Sequence, residues 1–281
     1  MSRYDSRTTT FTSEGRLLQV EYAIEGINRA PMALAVVTRT GVVFATERRP
    51  KGPLVASENP AIKDINGEKV YMIDQHIGAA VAGLTSDASV LIEQARYRAQ
   101  QHRYTFGEPM PCEDMAQTLS DIKHGYTTYG SNRPFGVAFL LGSWDRFFGF
   151  QLYHTDPSGN FSSWRAYAIG QNEGPAMAML KQDWNENLDL EGGILLALKI
   201  MAKTLDAVSL KPELVEVAVL SRAPRSQPVF HILTDAELVP KIEAAEVLRR
   251  REDEERETRR RERAAQQDAA VAGTGAAAAQ P

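Results

Sequence analysis

The sequence predicts an α+β body in which antiparallel sheets are covered by helices. Helical and strand patterns come in clusters instead of alternating, which argues against a parallel α/β sheet. Neighbouring strand patterns are joined by turns too short for a parallel crossover. Several strands are apolar at consecutive positions, so both of their faces need a covering layer. A pair of sheets flanked by helices meets these demands, while periodicity leaves the strand order open.

The first element is a helix over Phe11–Ala30, FTSEGRLLQVEYAIEGINRA. At about 100° per residue, Leu17, Val20, Ile24 and Ile27 form one apolar stripe, and Leu18 and Tyr22 lie on a second face. Thr12 and Ser13 are candidate N-caps, Glu14 suits the positive end of the helix dipole, and Pro31 ends the element. Gly26 weakens a helix by about 1 kcal/mol relative to Ala, which points to close packing there. A second apolar face needs a surface to bury against, either the chain's own core or another subunit. Ahead of the helix, Met1–Thr10 offers only Tyr4 as a large apolar group, too little to offset the entropy of ordering it. This tail is expected to be held only by a neighbour.

Ala33–Thr38 and Val42–Glu47 read as a hairpin turning through Arg39, Thr40 and Gly41. After a loop marked by Pro50, Gly52, Pro53 and Pro60, Lys69–Asp74 and Ile77–Ala82 form a second strand pair. Helices follow over Ser86–Tyr104 and Pro111–Gly130. Strands return at Phe135–Gly142, Phe147–His154 and Phe161–Ile169, with Asp156, Pro157, Ser158 and Gly159 supplying turn chemistry between the last two. A helix over Gly174–Asn185 precedes another that starts after Asp189 as N-cap and turns Ile194, Leu195, Leu198, Met201 and Leu205 inward. Strands at Leu214–Leu220 and Val229–Leu233 close the body. A helix from Asp235 runs into Arg249–Arg263, where eight arginines face six acidic residues, so the signs nearly cancel. That composition describes a solvated, salt-bridged helix or a disordered tail, and Ala264–Pro281 reads as disordered low complexity.

With 281 residues, 43% of them hydrophobic, the chain has ample core for one large domain or two small ones. A net charge of -4 argues against a general nucleic-acid or membrane-surface binder. The single cysteine, Cys112, excludes an internal disulfide and suits a reducing compartment. Apolar runs fall far short of the roughly 18 residues that span a bilayer, and MSRYDSRTTT has no apolar signal-peptide core. A soluble intracellular protein is expected. Phosphate-binding glycine loops and a G-x-S-x-G elbow are missing, and His76, His102, His124, His154 and His231 lack metal-ligand spacing. No cofactor and no metal are expected. Glu21 and Glu25 share a helix side without suggesting acid/base chemistry.

The segment FTSEGRLLQVEYAIEGI closely resembles the N-terminal signature of proteasome α-type subunits, F-S-P-E-G-R-L-x-Q-V-E-Y-A-x-x-x-I. The resemblance continues through GVVFATERR, EKVYMID, VAGLTSDA, DIKHGYTTYG, RPFGV, FQLY and DPSGN, from about Ser2 to about Leu238. It implies a four-layer αββα sandwich of the Ntn-hydrolase-like type with an added N-terminal helix. It divides the chain into a gating tail (1–12), the α-type domain (13–240) and a C-terminal extension (241–281). The function it implies is that of a non-catalytic ring subunit with roles in assembly, gating and activator docking for ATP- and ubiquitin-dependent degradation, in cytoplasm and nucleus. Implied partners are other α subunits in a seven-membered ring, β-ring subunits and the C-termini of activators.

The resemblance also assigns residues. Lys69 matches the pocket lysine that receives an activator's terminal carboxylate, with Gly83 and Leu84 in the same pocket and Leu17 and Glu21 lining it. Tyr4, Asp5 and Tyr22 match the cluster that holds the gate open, and Ser13 stands where the family has a reverse-turn proline. Ser6 likewise departs from the usual Y-D-R. The β subunits share the fold and hydrolyse peptides through an N-terminal threonine whose amine acts as base. Aligned on Gly41, that position is Pro31 here, and Glu47 stands where β subunits have an aspartate. A threonine-type hydrolase and a free-standing binding scaffold are the competing readings.

Overall fold

The computed structural model describes residues 9–48, 69–130, 133–205, 210–223 and 226–251. The first strands are β1 (Ala33–Val37), β2 (Gly41–Glu47), β3 (Val70–Asp74) and β4 (Ile77–Gly83). They are followed by β5 (Val137–Asp145), β6 (Gly149–Thr155), β7 (Phe161–Trp164) and β8 (Ala166–Ile169), then β9 (Val215–Ser221) and β10 (Val229–Ile232). Among the described residues these strands form two five-stranded sheets, ordered β10-β9-β2-β1-β8 and β3-β4-β5-β6-β7. Every pairing is antiparallel, as the short turns require.

Side-chain alternation shows how the layers stack. On β5, Val137, Phe139 and Leu141 join a cluster with the helices α2 (Thr85–Phe106) and α3 (Cys112–Thr128). Ala138 and Leu140, pointing the other way, pack between the sheets with Val42 and Phe44 of β2. From the far side of β2, Val43 and Ala45 meet α4 (Glu173–Asp183) and α5 (Leu190–Thr204). The order is therefore helices, sheet, sheet, helices, which is the αββα sandwich. The twin apolar faces of the strands follow from their place between a helix layer and a second sheet.

Local chemistry explains several boundaries. Asp189 caps α5, its carboxylate accepting from Gly192 N at 2.8 Å. A further helix, α6, covers residues 235–251. At its start Glu237 accepts from Thr234 N and Thr234 Oγ1 at 2.7 and 2.8 Å, which holds its carboxyl down to about 2. Packing along α6 continues past residue 240, with Leu238, Ile242 and Ala245 buried beside α5. Cys112 is buried at the start of α3, where loss of solvation pushes its thiol up to about 12.

Three expectations are corrected. The first helix, α1, spans Leu18–Asn28 and has no side-chain cap. Residues 12–16 instead form a turn in which Thr12 Oγ1 accepts from Arg16 N at 3.1 Å and Thr12 O accepts from Gly15 N at 2.9 Å. Gly15 holds φ +77 there, a left-handed conformation that interrupts a helix, so Ser13 sits exposed in the turn and caps nothing. The strand expected over Phe161–Ile169 is two strands: Phe161–Trp164 pairs with β6, and Ala166–Ile169 crosses to pair with β1. Gly26 has open space around it, so the close packing it suggested is not met among the described residues.

Candidate functional site

β3 and β4 bring Lys69, Gly83 and Leu84 to one end of their sheet. Lys69 enters β3 and its carbonyl accepts from Val81 N at 3.0 Å. Gly83 ends β4, and Leu84, 53% exposed, starts α2 while its N–H donates to Gly136 O at 2.9 Å. The Lys69 ammonium donates to Pro31 O at 3.0 Å, tying this end of the sheet to the chain that leaves α1.

α1 leans against β4 and β5 and carries the remaining predicted residues. Leu17 stands half-buried at its N-cap position. The Glu21 carboxylate pairs with the Arg16 guanidinium, and that contact lowers the carboxyl below its ordinary range. Tyr22 is 52% exposed on the same helix, and Ser13 lies in the turn before it. The second apolar face seen in the sequence is thus partly exposed. Tyr4 and Asp5 lie outside the described residues.

A brace missed at the level of sequence holds Gly83 and Leu84. Asp87, in the first turn of α2, takes both arms of Arg133 at 2.6 and 2.7 Å and also accepts from Gly136 N at 3.0 Å. The VAGLTSDA and RPFGV motifs therefore meet in one fork-shaped, charge-assisted contact. The Arg133 hydrogen bonds lower the Asp87 carboxyl below its ordinary value. Such a group adds stability above the unfolded carboxyl's pKa and loses it as pH falls through the lower folded value. Asp87→Asn is expected to cost about 1–2 kcal/mol at neutral pH in denaturant melts. The gap from the parent chain should close in acid.

Below Lys69 lies a second polar cluster. Ala30, Pro31 and Met32 are buried, with Ala30 O accepting from Gln171 N at 2.8 Å. Glu47 accepts from Met32 N at 3.1 Å, so its carboxylate serves the backbone. Glu216 of β9 accepts from Arg48 Nη2 at 3.0 Å, Lys69 N at 3.1 Å and Thr46 Oγ1 at 3.4 Å. The available signal was a lone charge within the apolar run LVEVAVL. Another buried cation, Lys123, donates to Thr155 Oγ1 at 2.7 Å, and burial brings its ammonium down to about 7. Among the described residues, no group of His, Cys, Asp and Glu is arranged to hold a metal, and no helix is long and apolar enough to cross a membrane.

The sandwich, the added helix and the ordered Lys69 end define a class that sequence comparison identifies. A proteasome subunit family model matches residues 27–220, and a model of the A-type N-terminal signature of proteasome subunits matches residues 4–25. The chain belongs to the proteasome subunit family and is of the α type. Among its relatives, the alpha type-4-2 proteasome subunit of Oryza sativa subsp. indica is 45% identical over 242 residues, covering 86% of this chain and 94% of the relative. The alpha type-4-A proteasome subunit of Arabidopsis thaliana is 45% identical over 230 residues, 82% of this chain and 90% of the relative. The alpha type-4 proteasome subunit of Petunia hybrida is 47% identical over 216 residues, 77% of this chain and 84% of the relative. The resemblance carried by FTSEGRLLQVEYAIEGI is thus borne out.

Proposed function

We propose that this α-type subunit is catalytically inert and works in the α ring as part of its entry gate and as an activator dock. The observation that carries the inert reading is Pro31: buried, joined to α1, and holding the Lys69 ammonium on its carbonyl. A threonine-type nucleophile needs a hydroxyl and a free amine at that point, and proline within a continuous chain supplies neither. Ring assembly is supported by apolar surface at the α1 end, where Phe11 is 62% and Tyr22 52% exposed and Gly26 faces open space. The partners in this reading are other α subunits, β-ring subunits and activator C-termini, in cytoplasm and nucleus.

Native mass and the mature N-terminus test the reading together. A very large complex containing a chain that retains α1 is expected. A chain beginning near residue 31 would overturn the retention of α1 on which this reading relies, and a stable active monomer would favour a scaffold. Gating has its own test in the assembled particle. Deleting Met1–Thr10 should raise basal peptide hydrolysis several-fold, and an unchanged basal rate would remove the gating role from this tail.

A further inference from the structure

We infer that Glu216 is a positioning residue for the docking lysine, fixing the root of Lys69 so that its ammonium meets the terminal carboxylate of a partner peptide. The inference rests on the docking reading of Lys69 above. On β9, Val215, Val217 and Val219 pack toward the helices, while Ala218 and Leu220 pack between the sheets. By alternation Glu216 shares the inter-sheet face, where its side chain is 1% exposed. A carboxylate there is tolerated only when its oxygens are occupied by donors.

Its donors come from both sheets. Oε1 takes Arg48 Nη2 at 3.0 Å, next to β2, and Oε2 takes Thr46 Oγ1 at 3.4 Å from β2 and Lys69 N at 3.1 Å from the start of β3. Arg48 is itself anchored by its N–H on Leu214 O at 2.7 Å. The Lys69 peptide is therefore clamped on two sides, its N–H on Glu216 and its carbonyl on Val81 N. With the ammonium on Pro31 O, a long and flexible side chain is set at both ends before a ligand arrives. That preorganisation lowers the entropy lost when a carboxylate docks. Glu216→Gln replaces one of the two acceptor oxygens with an amide donor facing N–H groups, freeing the root of Lys69 while keeping the side-chain volume.

The test uses assembled core particles carrying variants of this chain and a photo-crosslinkable synthetic peptide with a free terminal carboxylate. Labelling of this subunit is followed against peptide concentration, and labelling of the other subunits serves as internal reference. Glu216→Gln should raise the half-saturating concentration about five- to tenfold. It should add nothing once Lys69→Ala is present, and labelling by an amide-capped peptide should not change. Parent-like saturation in Glu216→Gln, or an equal loss in the Lys69→Ala background, would overturn the positioning role. If Lys69→Ala alone leaves labelling unchanged, the docking reading itself falls. Should Glu216→Gln fail to enter the particle, Arg48→Gln decides the matter. It loosens Glu216 from a partly exposed position and should give about a twofold loss, with none overturning the inference.

Discussion

Core particles carrying Lys69→Ala are expected to lose binding of carboxylate-terminated activator peptides at this subunit by about 10- to 100-fold. The ammonium is a compact point charge whose root is held by Glu216 and Val81 and whose tip rests on Pro31 O. Exchanging a carbonyl oxygen for a carboxylate gives the same donor a stronger, charge-assisted partner. Alanine removes the charge and leaves an incoming carboxylate to be desolvated without compensation. Lys69→Arg should recover only part of the affinity, because a planar guanidinium on a different stem does not reproduce the ammonium's position. Binding isotherms of peptides with free and amidated C-termini provide the measurement. Equal affinity of parent and Lys69→Ala particles for the free-carboxylate peptide would remove Lys69 from docking.

The largest loss of stability is expected from Gly83→Ala, at more than about 3 kcal/mol. Gly83 holds φ +126, a conformation that side chains with a Cβ rarely adopt. An added Cβ would stand 2.1 Å from Gly136 O and 2.9 Å from Val137 Cα, both backbone atoms of the chain paired with β4. Neither can yield without breaking the Leu84 N–H bond to Gly136 O and drawing Gly136 away from Asp87. Gly107→Ala is a useful control, since Gly107 also has positive φ, +74, yet meets nothing within 4 Å. It should cost about 1 kcal/mol. Denaturant melts of the two variants separate backbone strain from steric collision, and equal losses would show that the contact with Gly136 is unimportant.

Most elements were legible because their signals are local. The hairpin Ala33–Glu47 needs only two apolar runs and a turn glycine, and its register, Val37 opposite Val42, follows from the short turn. The Asp189 cap was equally plain from its place before an apolar helical run. The start of α1 was misplaced because Thr12 is a good N-cap by type, and its hydroxyl instead closes a turn through Gly15. Residues 161–169 read as one strand because period-two patterning cannot say which sheet a residue joins.

The candidate site divides along the same line. Lys69, Gly83, Leu84, Leu17 and Glu21 entered through a family resemblance, since a lysine before a strand and a glycine after one carry no chemistry by themselves. Glu216, Asp87 and Arg133 were missed because pairing between segments far apart in the chain leaves no periodic trace, although the lone charge in LVEVAVL was visible.

By itself, the sequence determined the α+β class, nearly every helix and hairpin, and family membership through the long signature around α1. Each depends on neighbours within a few turns of chain, where periodicity and turn chemistry act. Only the tertiary structure decided the layer order, the strand that changes sheets, and which charges lie buried to hold Lys69 and Gly83 in place. Those depend on contacts between distant segments, where the cost of burying a charge selects the partner that can satisfy it.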